Sequence, residues 1–223
     1  MNWQAFALTA RLATLTSFIL TCISVPIALW LAFSRRRWKF LVESAVGMPL
    51  VLPPTVLGFY LLVAFGSGTA LGRWYERLIG GTLAFTFSGL VVASIIYSLP
   101  FAVQPMVASF RSVDRRLVDA ARTLGAGKLK IYSQIVLPLA WPGLLTAVML
   151  SFAHTVGEFG VVLMVGGNIP GATRTLSIDI YDQVQSLNYA SANQTALLLL
   201  LFSYLLLCAI YALNRRALLW SSR

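Results

Sequence analysis

The sequence has few charged residues, and this scarcity decides its class. They make up 11% of the 223 residues, whereas an ordinary soluble domain has about a quarter, so a solvated globular surface is excluded. Apolar residues reach 58%, which excludes intrinsic disorder. The two cysteines are too few for a disulfide scaffold, and 16 glycines without a repeat exclude collagen. The class that remains is a polytopic membrane protein with a single domain, residues 1–223.

Five continuous apolar runs carry most of the hydrophobicity, and each has the roughly 20 residues that a helix needs to cross a bilayer. Transmembrane β-strands would instead alternate over about ten residues. The first run is longer than a signal-peptide core and its basic cluster follows it, so we expect it to be retained. The sequence predicts an all-α transmembrane bundle with spans at Leu12–Phe33, Ala45–Phe65, Leu83–Val103, Trp141–Val165 and Thr195–Leu213.

Basic residues outnumber acidic ones by 17 to 7, a balance that is typical either of nucleic-acid binding or of membrane topology. They collect on alternate connections between the spans, as they do in the cytoplasmic loops of membrane proteins, so nucleic acid is not an expected partner. We therefore expect the amino terminus outside and the carboxyl terminus in the cytoplasm. Thirteen basic residues define the cytoplasmic side: Arg35, Arg36, Arg37, Lys39, Arg111, Arg115, Arg116, Arg122, Lys128, Lys130, Arg215, Arg216 and Arg223.

The connection at residues 107–140 is the one long loop on the basic side. Gly125 ends a first helical pattern in the manner of a C-terminal cap, and a second pattern follows that we expect to end at Pro138. The loop is thus predicted to hold two short amphipathic helices joined by a glycine hinge. The pattern leaves open whether they lie on anionic membrane lipid or dock a partner. The apolar positions of the first helix are Val113, Leu117, Ala121 and Leu124.

This loop also resembles the EAA loop of ABC-importer permeases, which reads Glu-Ala-Ala, three residues, Gly, nine residues, Ile, any residue, Leu, Pro. The spacing in this sequence is the same, and the one departure is an aspartate in place of the glutamate. Asp119 keeps the negative charge on a shorter side chain. The positions that carry the resemblance are Asp119, Ala120, Ala121, Gly125, Ile135, Leu137 and Pro138.

The resemblance implies a permease subunit of the bacterial cytoplasmic (inner) membrane, whose loop forms a coupling helix seated on a separate ATP-binding subunit. It further implies a homodimer of this chain, two ATP-binding subunits and an extracytoplasmic substrate-binding protein. The chain has no Walker A sequence, because Gly125-Ala126-Gly127-Lys128-Leu129 lacks the earlier glycine and the following Ser or Thr. ATP and Mg²⁺ are therefore expected in the partner subunit, with no cofactor and no catalytic residue on this chain.

His154 and Glu158 are four residues apart in the fourth run, so they are predicted to share one face of a helix. Ionisable groups within a bilayer usually face a bundle interior or a wet cavity. We interpret them as a gate or pathway lining, with a proton relay and an interior hydrogen-bonded pair as alternatives. A metal site is not expected, because the chain has one histidine and no third ligand nearby.

Pro53, Pro54 and Thr55 in the second run form the other candidate pathway segment, because prolines inside a span break the backbone ladder and tend to mark kinks near a pathway. Leu52-Pro53-Pro54-Thr55 and Gly157-Glu158-Phe159-Gly160 resemble molybdate permeases and their sulfate relatives. The resemblance implies an oxyanion substrate, molybdate first, with sulfate or tungstate as alternatives. An ion-coupled secondary carrier is the alternative from another class of transporter.

The external connection, residues 166–194, is the last segment with a predicted role. Apolar residues at helical spacing predict a short amphipathic helix there. This helix either receives a substrate-binding protein or plugs the outer surface. Arg174 in the same connection either guides an oxyanion electrostatically or is a solvated loop charge.

Overall fold

The computed structural model describes the backbone of residues 2–221 and the side chains of residues 2–212. Every regular element in this part of the chain is helical, as the sequence predicts. In chain order the helices are α1 (Trp3–Phe33), α2 (Lys39–Val51), α3 (Pro54–Phe65), α4 (Ala70–Ile79), α5 (Phe87–Ser112), α6 (Arg115–Thr123), α7 (Lys128–Leu139), α8 (Trp141–Gly157), α9 (Gly160–Gly166), α10 (Leu176–Gln185) and α11 (Tyr189–Ser221).

Three helices are each long and apolar enough to cross a membrane: α1, α5 and α11. Two bent pairs supply the remaining candidates, namely α2 with α3, bent by 110°, and α7 with α8, bent by 72°. Counting each pair as one span gives up to five, the predicted number, although in the second pair only α8 lies within a predicted span. The first and last spans, α1 and α11, both begin earlier in the chain than predicted. The main departure from the prediction is the bending of the two helix pairs.

A pair of prolines explains the first bend. α2 ends at Val51, Leu52 is extended with ψ 136°, and α3 begins at Pro54. A proline has no N–H to continue the helical ladder, and the residue before a proline avoids the helical region. The predicted span Ala45–Phe65 is therefore wrong as one continuous helix, although its prolines mark the place of the break.

The fourth run is broken as well. α8 ends at Gly157, Glu158 is extended with ψ 132°, and α9 begins only at Gly160. Glycines have low helix propensity, which favours an interruption where two of them flank a short segment. The predicted span Trp141–Val165 is thus wrong as one helix, since it consists of a longer helix and a short second one.

The third span is displaced along the chain relative to the predicted Leu83–Val103. Thr86 caps α5, because its Oγ1 accepts a hydrogen bond from the Gly89 N–H at 3.1 Å. The helix then continues to Ser112. The basic-side loop therefore starts after Ser112 and not at Val107.

α1, α5 and α8 pack together around the largest hydrophobic cluster of the described chain. A stripe of small residues along α8 permits the close approach, because Ala147, Ser151 and Thr155 are at most 1% exposed and Gly143 lies against Ser109 of α5. The larger side chains that fill the cluster include Leu31, Met106, Phe110, Val136 and Leu144.

Candidate functional site

The chain between α5 and α8, residues 113–140, is called the coupling segment below. Asp114 caps its first helix, α6, and its Oδ1 accepts a hydrogen bond from the Arg116 N–H at 2.9 Å. Gly125 follows the helix with φ +80°. The amides of Gly125 and Ala126 donate to carbonyls of the last turn of α6, at 2.9 and 3.0 Å, which is the glycine-terminated helix end that the sequence predicts.

Val118 attaches α6 to the spans. Val118 is 3% exposed and belongs to the same hydrophobic cluster as Ile131 of α7 and Phe110 of α5. In contrast, Leu117 is 48% exposed and Leu124 is 87% exposed. The two leucines of the predicted apolar stripe therefore point away from the spans and are free to contact lipid or a partner.

Exposed leucines and a shallow cavity surround the Gly125 turn. Leu129 of α7, 83% exposed, adds to the two leucines of α6. An open cavity of about 340 Å³ lies between the turn and α7, and its lining includes Ala121, Gly125 and Ile135. Ala120 of α6 is exposed as well. Contiguous exposed apolar surface outside the spans is typical of a protein interaction site.

Asp119 pairs within its own helix. Its Oδ1 lies 3.0 Å from Nη1 of Arg122, and the aspartate side chain is 68% exposed. Exposed ion pairs of this spacing contribute only about 0.3–0.5 kcal/mol. The Asp119 carboxylate can therefore exchange this partner for a basic residue of another protein at little cost.

The end of the coupling segment attaches it to α8. α7 contains a π-helical turn at Tyr132–Val136, in which the Leu137 N–H donates to the Tyr132 carbonyl. This wider turn stands directly before Pro138, which has no N–H to donate. α7 extends to Leu139, so the expectation that Pro138 ends the helix is wrong by one residue. Within this motif Ile135 and Leu137 are half-buried.

His154 lies in a polar pocket between α8 and α5. Its Nδ1 is 2.8 Å from the Ser98 hydroxyl, which also lies 3.2 Å from Thr155 Oγ1. The imidazole stacks on Phe101 with centroids 3.9 Å apart, and Tyr97 lies at 4.8 Å. His154 is thus an interior hydrogen-bonded group whose partner is a serine of another span and not Glu158.

Glu158 stands at the break between α8 and α9, so it no longer shares a helical face with His154. It is 3% exposed, and neither carboxyl oxygen has a hydrogen-bond partner among the described residues. The polar groups near the Glu158 carboxyl are the hydroxyls of Ser94 and Tyr97, both on α5. Two serines of α5, Ser94 and Ser98, therefore belong to this site, and the sequence-based prediction did not include them. Their spacing of four residues within an apolar span places them on one helical face and could have identified them.

The two helix breaks contact one another. A Cβ added to Gly160 at the second break would lie 2.7 Å from Pro54 Cβ at the first. The structure therefore brings the predicted segment Pro53–Thr55 next to the segment that carries Glu158. His154 lies in the last turn of α8, before the break. Pro53 and Thr55 themselves are exposed, on a surface that the described chain leaves open.

The connection at residues 166–194 forms the predicted short helix, α10. Arg174 is occupied there: its Nε donates to Asn168 Oδ1 at 2.6 Å and its Nη1 lies 3.3 Å from Asp182 Oδ2. Its charge is neutralised within the protein, so neither predicted role of Arg174 describes it. Among the described residues no group of three His, Cys, Asp or Glu side chains is arranged to hold a metal ion.

Comparison with known proteins places this geometry in a family. The binding-protein-dependent transport system inner membrane component matches residues 24–218. The molybdenum transport system permease protein ModB of Azotobacter vinelandii is 51% identical over 211 residues, covering 95% of this chain and 93% of that protein. The ModB of Escherichia coli (strain K12) is 36% identical over 189 residues, covering 83% of this chain and 81% of that protein.

A solved structure shares the fold. The inward-facing MetNI methionine ABC transporter superposes with a TM-score of 0.74 at 20% identity, covering 97% of this chain and 96% of that chain. The resemblance to importer permeases and the multi-pass inner-membrane location are confirmed by these similarities. This chain belongs to the family of binding-protein-dependent transport system inner membrane components.

Proposed function

We propose that this chain is the membrane-spanning subunit of an ABC importer for molybdate. The observation that carries the proposal is the coupling segment, whose exposed leucines surround a glycine turn outside the spans. The substrate is inferred from the 51% identity to a molybdenum transport system permease protein. Sulfate and tungstate are the alternative oxyanions.

The proposed assembly has two copies of this chain, two ATP-binding subunits and an extracytoplasmic substrate-binding protein. The distribution of basic residues supports an orientation with the coupling segment in the cytoplasm and the amino terminus outside. ATP and Mg²⁺ belong to the partner subunits in this proposal. The exposed Pro53 and Thr55, next to the two helix breaks, line the route between the two copies.

In the proposed mechanism the ATP-binding subunits displace α6 as a rigid body. Val118 transmits the displacement, because it packs in one cluster with Phe110 of α5 and Ile131 of α7. Such close-packed contacts move together and do not compress. Binding of nucleotide then favours one of two arrangements of the spans, which opens the route to one side at a time.

The docking of an ATP-binding subunit is tested by introducing a charge into the exposed leucine surface. Leu124→Glu is compared with Leu187→Glu, a 72% exposed leucine between α10 and α11. We expect Leu124→Glu to lose the co-purifying ATP-binding subunit and Leu187→Glu to keep it. Equal retention by both variants would contradict a docking role for the turn.

The transport reaction and its substrate are tested in vesicles containing the purified complex. We expect uptake of molybdate that needs ATP and the binding protein, and stimulation of ATP turnover by molybdate above that by sulfate. If sulfate alone stimulated ATP turnover, the proposed substrate would be wrong, but the proposal of an ABC importer would stand. Accumulation of anion by this chain alone, driven by an ion gradient, would instead support the secondary carrier.

A further inference from the structure

A second cavity lies on the basic side of the molecule, between the end of α1, the start of α2 and one face of α6. It has a volume of about 360 Å³, and Ala32, Phe33 and Val118 contribute its apolar lining. We name it the basic pocket after the charged residues that line it, five basic side chains and one carboxylate: Arg35, Lys39, Arg111, Arg115, Arg122 and Asp119.

The charge of the basic pocket is only partly neutralised by the protein. Arg122 pairs with Asp119 at 3.0 Å, and Arg111 pairs with Glu43 at 2.5 Å. Uncompensated like charges around one cavity repel one another and create a positive potential that attracts an anion. Three lining residues have no acidic partner in the described part of the chain: Arg35, Lys39 and Arg115.

The basic pocket lies at the end of the first span. α1 ends at Phe33, and beyond it Trp38 lies against Trp30 with ring centroids 5.1 Å apart. Tryptophans are typical of the membrane–water interface. Phe40 and Leu41, which follow on α2, are 58% and 57% exposed. The exposed apolar side chains thus directly follow Lys39, a lining residue of the pocket, in the sequence.

We propose that the basic pocket binds the phosphate-bearing headgroup of an anionic phospholipid, whose acyl chains run along Phe40 and Leu41. Arginine presents paired donors to phosphate oxygens, and lysine adds a point charge. Basic pockets at the cytoplasmic ends of transmembrane helices suit such headgroups. A headgroup in this position contacts both the turn after α1 and the coupling helix α6, so it joins the two.

An acidic surface of a partner protein is the competing occupant, and the geometry of α6 favours the lipid. Arg115, Val118 and Arg122 of the basic pocket lie on one face of this helix. The exposed Leu117 and Leu124 lie on another face, which is the one proposed above to dock the ATP-binding subunit. The pocket therefore faces the end of α1 and the start of α2, while the exposed leucines remain free to dock. Asp119 is the lining residue that can also pair with a basic residue of a partner protein.

The test measures lipid retention by the full-length chain in native mass spectrometry. Probes are phosphatidylglycerol, phosphatidylcholine and inorganic phosphate. The variant R35Q/K39Q removes two unpaired charges of the pocket, and R36Q/R37Q removes the same charge from the same turn outside it. We expect retention of phosphatidylglycerol to fall about tenfold in R35Q/K39Q relative to R36Q/R37Q, with phosphatidylcholine unchanged in both.

A second matched pair keeps the test decisive if R35Q/K39Q does not fold. R115Q changes a lining residue and R116Q changes its neighbour, which does not line the pocket. Equal loss of phosphatidylglycerol within both pairs overturns the proposal. So does binding of inorganic phosphate in place of the lipid, or loss of a co-purifying ATP-binding subunit from R115Q with lipid retention unchanged. None of these readouts requires transport, so failure here leaves the proposed function standing.

Discussion

At the scale of single residues, Gly125 sets the direction in which the coupling segment turns. Its φ of +80° lies in the left-handed region, which a side chain disfavours. A Cβ at this position would meet nothing within 4 Å. Backbone conformation, and not crowding, is therefore what requires glycine here, and this separates its role from that of the glycines in the spans.

Gly125→Ala is predicted to weaken docking of an ATP-binding subunit. The left-handed conformation costs alanine about 1 kcal/mol, which corresponds to about fivefold weaker association if the turn relaxes to avoid it. The measurement is the affinity of the purified chain for its ATP-binding partner. Gly127→Ala is the matched control, because Gly127 has φ −69° and equally open surroundings. Equal effects of both substitutions would contradict this role.

Glu158→Gln is predicted to reduce transport without lowering the stability of the protein. The substitution keeps the shape but removes a buried carboxylate that has no hydrogen-bond partner among the described residues. We expect the melting temperature to stay the same or to rise by about 2–4 °C, as for about 1 kcal/mol in a chain of this size. Uptake in vesicles is expected to fall about tenfold, because ionisable groups within spans are usually functional. Unchanged uptake would make Glu158 a packing residue only.

At the scale of elements, the two broken spans are joined through glycines. Gly160 of α9 lies against the ring of Pro54 at the start of α3. One turn further along, Gly58 of α3 lies against Met164 of α9, where an added Cβ would come within 2.7 Å of the methionine Cβ. The short helices α3 and α9 therefore pack closely enough to move as a unit.

Gly160→Ala is predicted to destabilise the contact between α9 and α3. The new methyl group would meet Pro54 Cβ at 2.7 Å, and the rigid proline ring cannot turn away, so a cost of about 1–3 kcal/mol is expected. The measurement is the melting temperature of the purified chain. Gly157→Ala serves as control, because its surroundings are open and alanine favours helix. A lower melting temperature for Gly157→Ala than for Gly160→Ala would contradict the packing argument.

At the scale of the whole molecule, charge and hydrophobicity are arranged in layers. The apolar spans separate an end with the coupling segment and the basic pocket from an end with α4 and α10. The basic residues concentrate at the first of these ends. By the positive-inside rule this arrangement predicts an orientation with the coupling segment in the cytoplasm.

The orientation is predicted to appear in cysteine labelling of intact cells. In a background with Cys22 and Cys208 replaced, Ser186→Cys at the end of α10 should react with a membrane-impermeant maleimide. Ser133→Cys in the coupling segment should react only after the membrane is permeabilised. Both serines are exposed, so accessibility within the protein is matched. Labelling of Ser133→Cys in intact cells would contradict the proposed arrangement.

Local signals explain which parts of the fold and site were predictable. The spans follow from apolar length, and the glycine turn of the coupling segment follows from a residue that alone tolerates positive φ. The residue that anchors α6 was not predictable in this way, because Val118 meets Ile131 and Phe110 from other helices. Likewise, the partner of His154 proved to be Ser98, which comes from a different span.

The sequence by itself determined the class of protein, the number of apolar runs, the place of the first helix break and the motif of the coupling segment. Only the tertiary structure decided how sharply the spans bend, that Pro54 lies against Gly160, and that basic residues from the turn after α1 and from α2, α5 and α6 line one pocket. Composition and periodicity act within one segment of chain, where local backbone preferences prevail. Contacts between distant segments depend on how side chains fill the space between helices, and neighbouring residues in the sequence do not encode that packing directly.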